Sequence, residues 1–309
     1  MEFFKNIPHI DFMGQRKITA VISISVFIIS VTLLFMKGLN FGLDFTGGTQ
    51  LELRYDKPVD VDSVNEQLAA AGFSSTKVTQ YGAVNDILLK IANKEDMTED
   101  ELGHKVLEAL RANQENVELL RIEFVGAEVG AQLAEQGALA VLVALFATMI
   151  YIAMRFEYRF GISAAIALLH DPILILGIFA YYQIEFDLAT LAGILAAIGY
   201  SLNDTIVVFD RVRENFRKVR KSSAVEIMNM SINQTLSRTI MTSATTLLVV
   251  VALFLFGGDS LHGFSTALLI GILIGTYSSI YVAGALAVAF GLSKADLMGA
   301  PKKLADDMP

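Results

Sequence analysis

Polar side chains inside long apolar runs are the residues best placed to do chemistry in this sequence. Asp204 lies in Gly-Tyr-Ser-Leu-Asn-Asp-Thr at 199–205, between Asn203 and Thr205. A charge at the centre of a bilayer costs at least about 2.5–3.5 kcal/mol, and carboxylates there commonly mark ion or proton pathways. We therefore predict that Asp204 carries a proton and that Asn203 and Thr205 hydrogen-bond the relay. A structural role in joining helices is the alternative.

Two further groups could take part in proton movement. His170-Asp171-Pro172 interrupts another apolar run, where the proline removes a backbone donor and predicts a kink in the helix. His170 and Asp171 could extend the relay or could pair structurally within a helix bundle. Arg238 begins a further run. Its head group could extend to the membrane surface, or it could form with Asp204 an ion pair that protonation would break.

The composition excludes several classes of chemistry. The chain of 309 residues has no cysteine and four scattered histidines, which excludes disulfides, thiol nucleophiles and iron–sulfur clusters. We expect no metal, no cofactor and, because the net charge is −8, no nucleic-acid partner. Hydrophobic residues make up 54% of the chain and charged residues 18%, which is typical of a protein whose surface largely faces lipid.

Six apolar runs approach or exceed the length needed to cross a bilayer core about 30 Å thick as a helix. They lie at 18–36, 137–154, 162–182, 188–209, 240–256 and 264–290. The first resembles a signal peptide but lacks a small-residue cleavage site, so we predict an uncleaved span. The short loops 183–187 and 257–263 carry no lysine or arginine. The basic residues outside 37–135 therefore lie on the side of the membrane that holds the N-terminus. Because basic residues favour the cytoplasmic side, this predicts that both termini are cytoplasmic.

The predicted fold is an α-helical membrane protein with six transmembrane helices and an external α+β domain between the first two. Residues 37–135 hold 18 acidic and 9 basic side chains, and their apolar patterns give the order strand–helix–strand–strand–helix–strand of a ferredoxin-like domain. Basic residues at 210–238 predict a helix along the cytoplasmic membrane surface, held by anionic lipid or by a partner protein. The predicted domains are 1–36 (N-terminus and first span), 37–135 (periplasmic), 136–290 (five-span bundle) and 291–309 (cytoplasmic tail).

Glycines mark both connections of this external domain. Gly47 and Gly48 stand in Phe-Thr-Gly-Gly-Thr at 45–49, which lacks the lysine of a phosphate-binding loop and favours a turn between span and domain. Gly126 and Gly130 precede the second span. Small residues can serve as hinges, so we predict that these four positions allow the domain to move.

The motifs at 42–49, 125–130, 170–171 and 199–215 together resemble the SecF family of bacterial protein-export membrane proteins, within the resistance–nodulation–division superfamily. The resemblance covers essentially the whole chain. One departure is Ala127, where the family often has proline. The long motif Gly-Tyr-Ser-Leu-Asn-Asp-Thr-Ile-Val-Val-Phe-Asp-Arg-Val-Arg-Glu-Asn at 199–215 is the most specific carrier of the likeness.

The resemblance implies a multi-pass protein of the bacterial inner membrane, without enzymatic activity, that pairs with SecD. The implied family role is to use the proton-motive force to help draw preproteins out of the SecYEG channel after the SecA ATPase has pushed them in. YajC and YidC are further implied partners, and membrane lipid surrounds the spans. The resemblance also implies that Asp204 is the proton-carrying carboxylate and Arg238 a coupling residue.

Two other functions remain alternatives. Aspartates on neighbouring spans, Asp171 and Asp204, are similar to those of intramembrane aspartyl proteases. Those enzymes carry the second aspartate in Gly-x-Gly-Asp, whereas this chain has Ser-Leu-Asn-Asp at 201–204. A passive scaffold of the export machinery, with no proton role, is the second alternative, and it predicts that every polar residue in the spans can be replaced.

Overall fold

The computed structural model describes residues 8–73, 76–80, 83–91, 99–112, 116–219 and 222–292. The first seven residues and nearly all of the predicted cytoplasmic tail at 291–309 lie outside the described residues. The chain divides into two compact units, Phe41–Ala140 and the combination of Met1–Asn40 with Val141–Pro309. We refer to the first as the external unit and to the second as the membrane unit.

The external unit contains a four-stranded antiparallel sheet whose strands run in the order β3-β4-β2-β5. Along the chain the unit reads strand, helix, strand, strand, helix, strand, as the apolar pattern predicts. The strands are β2 (Gly48–Tyr55), β3 (Thr76–Gln80), β4 (Asp86–Ile91) and β5 (Val117–Val125), and the helices are α3 (Val61–Ala70) and α4 (Glu99–Arg111). A one-turn helix, α2 (Leu43–Thr46), precedes β2.

Alternation of side chains explains the core of this unit. Leu51, Leu53 and Tyr55 are buried on one face of β2, because successive residues of a strand point to opposite faces. Their partners come from β4 and from the inner faces of α3 and α4, where apolar residues recur at helical spacing. The completely buried residues among them are Val64, Leu68, Leu89, Val106 and Leu110.

Six helical segments of the described chain are long and apolar enough to span a membrane, which confirms the number predicted from the sequence. Each extends beyond its apolar run into flanking polar residues. The segments are α1 (Arg16–Lys37), α5 (Ala127–Arg155), α6 (Tyr158–Tyr182), α7 (Leu188–Lys218), α8 (Ala224–Phe256), and a sixth made of α9 (Asp259–Tyr277), a π-helix (Ser278–Ala283) and α10 (Gly284–Ala289). Two-residue strands, β1 (Asn40–Phe41) and β6 (Glu185–Phe186), lie in the connections.

The third span continues through Pro172 as the single helix α6, and the kink expected at this proline stays a prediction. Proline lacks one backbone donor, so the carbonyl of Leu168 loses its usual helical partner. Pro172 itself is buried in the membrane unit. Packing by neighbouring helices therefore keeps the helix continuous where local propensity alone favours a break.

The prediction of one surface helix over 210–238 is wrong. Residues 210–218 are the last turns of α7, and α8 begins at Ala224 after a capping box formed by Ser223 and Glu226. The amide of Asn215 donates to the hydroxyl of Ser231 and to Gln234, both at 2.8 Å, so the two helix ends pack against each other. The apolar stripe at this end of α8 is buried within the protein, since Met228 and Ile232 are 0% and 1% exposed.

The N-terminal segment explains part of that burial. Asn233 on α8 accepts a hydrogen bond from the Ile10 backbone amide at 2.9 Å and donates one to the Ile10 carbonyl at 2.8 Å. Asn229 accepts bonds from the amides of Phe12 and Met13. Two asparagines therefore bind the segment before α1 along α8, so this side of α8 packs against protein.

Candidate functional site

Small residues bring the fourth and sixth spans close enough for a shared polar site. A Cβ atom added to Gly275 on α9 would lie 2.7 Å from the Cβ of Ser201 on α7. One added to Gly193 would lie 2.6 Å from the carbonyl oxygen of Phe264. Small residues at such crossings let helix backbones approach closely in a membrane. The hydroxyl-bearing residues around the crossing can therefore reach one another.

A cluster of buried polar side chains occupies this crossing. We call it the polar cluster and define it as His170 and Asp171 on α6, Ser201, Asp204 and Thr205 on α7, and Ser278 and Ser279 on the π-helix. His170, the least buried member, is 6% exposed. All of these side chains are in the middle of segments that are long and apolar enough to span a membrane.

Asp171 is the fully hydrogen-bonded carboxylate of the cluster. Its Oδ2 accepts bonds from the hydroxyls of Ser201 at 2.5 Å and of Ser278 at 2.8 Å. Its Oδ1 lies 3.0 Å from Nδ1 of His170. Both oxygens therefore have partners, which is the usual condition of a buried polar group and fits an anchoring role between three spans.

The π-helix is what places two consecutive serines in the cluster. In an α-helix, neighbouring residues point about 100° apart, whereas a wider π turn changes this relation and is frequent at functional sites. Ser278 bonds Asp171, and Ser279 lies 2.9 Å from the hydroxyl of Thr205 and donates to the Ser201 carbonyl at 3.2 Å. Thr205, predicted as a relay residue, is thus in the cluster.

Asp204 differs from Asp171 although both are 2% exposed. Among the residues that the structure describes, no group hydrogen-bonds the buried Oδ2 of Asp204. An ionised carboxylate without a partner is costly in an apolar interior. Asp204 is therefore the carboxylate of the cluster for which a bound proton makes the largest difference to the free energy.

Arg238 is not ion-paired with Asp204 in this structure. It lies on the exposed side of α8, near enough to Asp204 for a Coulombic interaction but outside salt-bridge distance of any described carboxylate. The next residue, Thr239, is buried. The ion pair considered from the sequence is therefore absent from this state, and Arg238 is a neighbouring charge that can respond to Asp204.

A second set of hydroxyls joins three spans beside the cluster. The hydroxyl of Tyr200 on α7 donates to Ser243 on α8 at 2.9 Å. Ser243 also lies 2.9 Å from the hydroxyl of Thr276 on α9. Tyr200 precedes Asp204 by four residues, so this bridge is about one helical turn away from Asp204. It fixes the position of α8, which carries Arg238, relative to α7.

Of the two remaining predicted relay residues, Asn203 lies apart from the polar cluster and His170 lies at its edge. Asn203 is exposed at the surface of the chain, so the proposed hydrogen bond to the relay is not formed. His170 touches Asp171 on one side and stacks on Phe27 of α1, with ring centroids 6.2 Å apart. Its buried Nε2 has no partner within the described residues.

Ser278 and Ser279 were not predicted from the sequence. The signal that could have found them is the run of four hydroxyl residues, Thr276 to Ser279, within a long and mostly apolar stretch. Within the described part of the chain, no group of three or more histidine, aspartate or glutamate side chains is arranged to hold a metal ion.

The glycines predicted as hinges form a close backbone contact in the external unit. Gly47 and Gly48 have φ angles of +64° and +134°, which side-chain-bearing residues rarely adopt. A Cβ atom on Gly130 would lie 2.8 Å from the Gly47 nitrogen, whereas one on Gly126 would meet only Val129, at 3.9 Å. These contacts explain why Gly47, Gly48 and Gly130 are glycines, and a hinge role remains a prediction.

Two family models of protein export membrane proteins match most of the chain. The family described as protein export membrane protein SecD/SecF, C-terminal, matches residues 105–293, and the SecD/SecF GG motif matches residues 32–59. The second match contains Gly47 and Gly48, and the first contains every member of the polar cluster.

Individual relatives agree with this assignment. The protein translocase subunit SecF of Vibrio alginolyticus is 49% identical over 94% of this chain and 92% of the relative. That of Pseudomonas aeruginosa is 45% identical over 97% of this chain and 98% of the relative.

Solved structures give the same result for the fold. The crystal structure of SecDF, a translocon-associated membrane protein from Thermus thermophilus, superposes with a TM-score of 0.83 at 38% identity, over 92% of this chain. A super-membrane-facing form of SecDF superposes with a TM-score of 0.67 at 36% identity, over 93% of this chain. This chain spans 39% of the length of each of those SecDF chains.

Proposed function

Because the chain belongs to the SecF family of protein translocase subunits, we propose that it couples proton movement through its membrane unit to motion of its external unit during protein export. Family membership supports the role in protein translocation and the partnership with SecD. Proton coupling is the part that this proposal adds. A proton crossing 100 mV releases about 2.3 kcal/mol, which is enough to bias a small conformational step.

The observation that carries the proposal is the state of Asp204. Its side chain is buried in the membrane unit, and its Oδ2 lacks a hydrogen-bond partner among the described residues, whereas the neighbouring Asp171 has both oxygens engaged. A buried carboxylate without a compensating partner is stabilised when it is neutral and destabilised when it is charged. Proton binding and release at Asp204 therefore change the energy of the surrounding helices.

Arg238 supplies the second half of the coupling. It is exposed on α8 and feels the charge of Asp204 without contacting it. When Asp204 is ionised it attracts Arg238, and when Asp204 is protonated that attraction disappears. The Tyr200–Ser243 bond tethers the two helices beside this pair, so a change in the attraction acts on the packing of α7 against α8. Thr205, His170 and Asp171 hold the cluster in position.

Asn203 is proposed to face SecD. Its amide is exposed at the surface of this chain, next to Asp204 and within a segment that can span a membrane. A polar amide facing lipid would leave its hydrogen bonds unmade, at a cost of several kcal/mol. A partner subunit packed on this side of α7 would satisfy the amide of Asn203.

The topology of the proposal follows the distribution of charge. We assign both termini to the cytoplasm, the protein to the bacterial inner membrane, and the external unit, as a ferredoxin-like domain, to the periplasm. The strand order β3-β4-β2-β5 with two covering helices supports the ferredoxin-like assignment. SecYEG, YajC, YidC and preprotein substrates are the further partners proposed, with the glycines at both ends of the external unit as candidate hinges.

An intramembrane protease is the weaker alternative. Aspartic proteases hold two carboxylates close enough to share one proton. Here Asp171 bonds serines and His170, and no hydrogen bond joins it to Asp204 in the described structure. The geometry therefore does not favour a catalytic pair, and the reaction we expect is proton transfer without bond cleavage.

The decisive experiment measures proton flux through the purified complex with SecD in sealed vesicles that carry an imposed pH gradient. Asp204→Asn should abolish the flux and the proton-dependent part of preprotein export, while the complex stays assembled. Asp210→Asn is the matched control, because Asp210 lies on the same helix but forms a surface ion pair with Arg155. Equal flux in the wild type and Asp204→Asn would refute proton carriage by Asp204, and loss in both variants would show a general effect of altering α7.

A further inference from the structure

A groove on the surface of the membrane unit has one charged end and an apolar remainder. Its volume is about 680 Å³, and it is bounded by α1, α6 and the end of the sixth span. Arg16 and Lys17 stand at one end, and Phe27 with His170 lies at the other. Between them the walls are mostly small or apolar, and Ala20, Ile24, Leu169 and Ala285 are among the lining residues. The hydroxyl residues Ser23 and Tyr281 also line this part.

The dimensions of the groove fit one extended hydrocarbon chain. Lys17 and Phe27 are ten residues apart on α1, which corresponds to about 15 Å of helix. Alanines on two walls, Ala20 and Ala285, leave the space open, and Ile24 and Leu169 on its rim are 60% and 43% exposed. A packed transmembrane helix is about 10–12 Å across and would not need cationic groups at one end only.

The positive charge at the groove entrance favours an anionic ligand. The segment that contains Lys17 can span a membrane, and Lys17 lies at its beginning, where lipid head groups are found. Arg16 donates one guanidinium hydrogen to the Met13 carbonyl at 3.0 Å, which holds the head group at the groove entrance. Basic residues in this position attract anionic lipid by about 1 kcal/mol each. We propose that the groove binds an anionic phospholipid, with its phosphate at Arg16 and Lys17 and one acyl chain along the groove.

This site has a consequence for the polar cluster. The inner end of the groove is closed by the stacked rings of Phe27 and His170, and His170 bonds Asp171. An acyl chain in the groove covers this stack from the bilayer side and keeps water away from the α6 end of the cluster. Lipid binding and proton carriage are nevertheless separate proposals, because lipid can occupy the groove whatever the role of Asp204.

The test is lipid retention by the purified full-length complex with SecD, measured by native mass spectrometry. Dioleoyl phosphatidylglycerol and dioleoyl phosphatidylcholine, which share acyl chains and differ in net charge, are the two probes. We expect the wild type to retain the anionic lipid preferentially. Arg16→Gln and Lys17→Gln should each weaken that retention about fivefold, the equivalent of about 1 kcal/mol per charge.

Two further variants distinguish the contribution of charge to lipid retention from the contribution of the groove. Ala285→Phe should fill the groove and lower retention of both lipids, and Lys37→Gln, at the opposite end of α1, should change neither. Equal retention of the two lipids by the wild type would overturn the proposal, as would an unchanged preference in the Arg16→Gln, Lys17→Gln double variant. Co-purification of a single-span protein that Ala285→Phe releases would also overturn it. The charge variants lie at the helix end and decide the result even where Ala285→Phe does not fold.

Discussion

Ser201 on the fourth span donates a 2.5 Å hydrogen bond to Asp171 on the third. Three residues after Ser201 on the same helix, Asp204 is equally buried but has no partner for its Oδ2 in the described structure. The contrast separates two uses of a buried carboxylate. Asp171 joins helices through a completed set of hydrogen bonds, whereas Oδ2 of Asp204 keeps a lone pair that can accept a proton.

Replacement of the anchoring carboxylate should reduce stability. Asp171→Ala leaves the buried hydroxyls of Ser201 and Ser278 without their acceptor, at an expected cost of about 1–3 kcal/mol. Asp204→Asn removes no described hydrogen bond of Oδ2 and should leave the melting temperature nearly unchanged. Thermal unfolding of the complex in detergent measures both. A melting temperature lowered by Asp204→Asn and unaffected by Asp171→Ala would reverse the two assignments.

The glycine contact in the external unit gives a prediction with an internal control. Alanine in place of glycine inside a helix normally stabilises by about 1 kcal/mol. In Gly130→Ala the added methyl lies 2.8 Å from the Gly47 nitrogen, so we expect a net destabilisation of about 1–3 kcal/mol. Gly126→Ala should be tolerated, because its methyl meets only Val129 at 3.9 Å. Hydrogen exchange of the external unit in the full-length protein compares the two. Equal protection in both variants would show that the contact can relax.

Elements with one dominant period could be predicted from the sequence. The alternation of Gly48–Tyr55 and the helical spacing of Glu99–Arg111 each reflect a face that must be buried, and both elements are formed. The six spans follow from length and apolarity in the same way. Asp204 could be found because a carboxylate in an apolar run is exceptional whatever surrounds it.

Features that depend on how helices meet could not be predicted. The stripe of Met228 and Ile232 is compatible with lipid or with protein, and only the paired asparagines and the capping box at Ser223 indicate protein. No pattern in the sequence predicted the π-helix at Ser278–Ala283, whose Ser279 contacts Thr205 and the Ser201 carbonyl of α7. Asn203 and Asp204 are adjacent in sequence but differ in exposure. The rotation of α7 about its own axis determines which of the two side chains faces the bundle.

The acid stability of the external unit should depend on Asp86. Arg54 makes two hydrogen bonds of 2.8 Å to this carboxylate and holds the pKa of Asp86 below its usual value. The pKa of Asp86 in the folded state is below the unfolded value of about 3.9. The Arg54–Asp86 pair therefore makes its full contribution to the free energy of unfolding above about pH 5, and this contribution is lost as the pH falls through the folded-state pKa. Stability therefore falls with acidification in this window.

Comparison with Asp86→Asn isolates that contribution. The ratio of wild-type to variant hydrogen exchange in strand β2, measured at each pH in the full-length protein, cancels the intrinsic pH dependence of exchange. The protection that wild type has over the variant should be constant near neutrality and should shrink below about pH 4. Glu66→Gln, at an exposed position on α3, should show no such trend. A difference between wild type and Asp86→Asn that persists unchanged at acid pH would exclude the ion pair as its source.

The attachment of the N-terminal segment rests on Asn233. Its amide group bonds both the Ile10 nitrogen and the Ile10 carbonyl and is 6% exposed. Asn233→Ala leaves two backbone groups of the segment without partners, so residues 10–13 should open locally without global unfolding. We expect amide exchange in these residues to accelerate about tenfold, the equivalent of about 1.4 kcal/mol. Asn203→Ala removes an exposed amide from the same bundle and should leave exchange at 10–13 unchanged.

Because Phe12 in this segment packs edge-on against Tyr281, at 5.8 Å between ring centroids, release of the segment should also weaken lipid retention in the groove that Tyr281 lines. Acceleration without any loss of lipid would show that the segment and the groove are independent, and acceleration in both variants would show that the bundle as a whole has loosened.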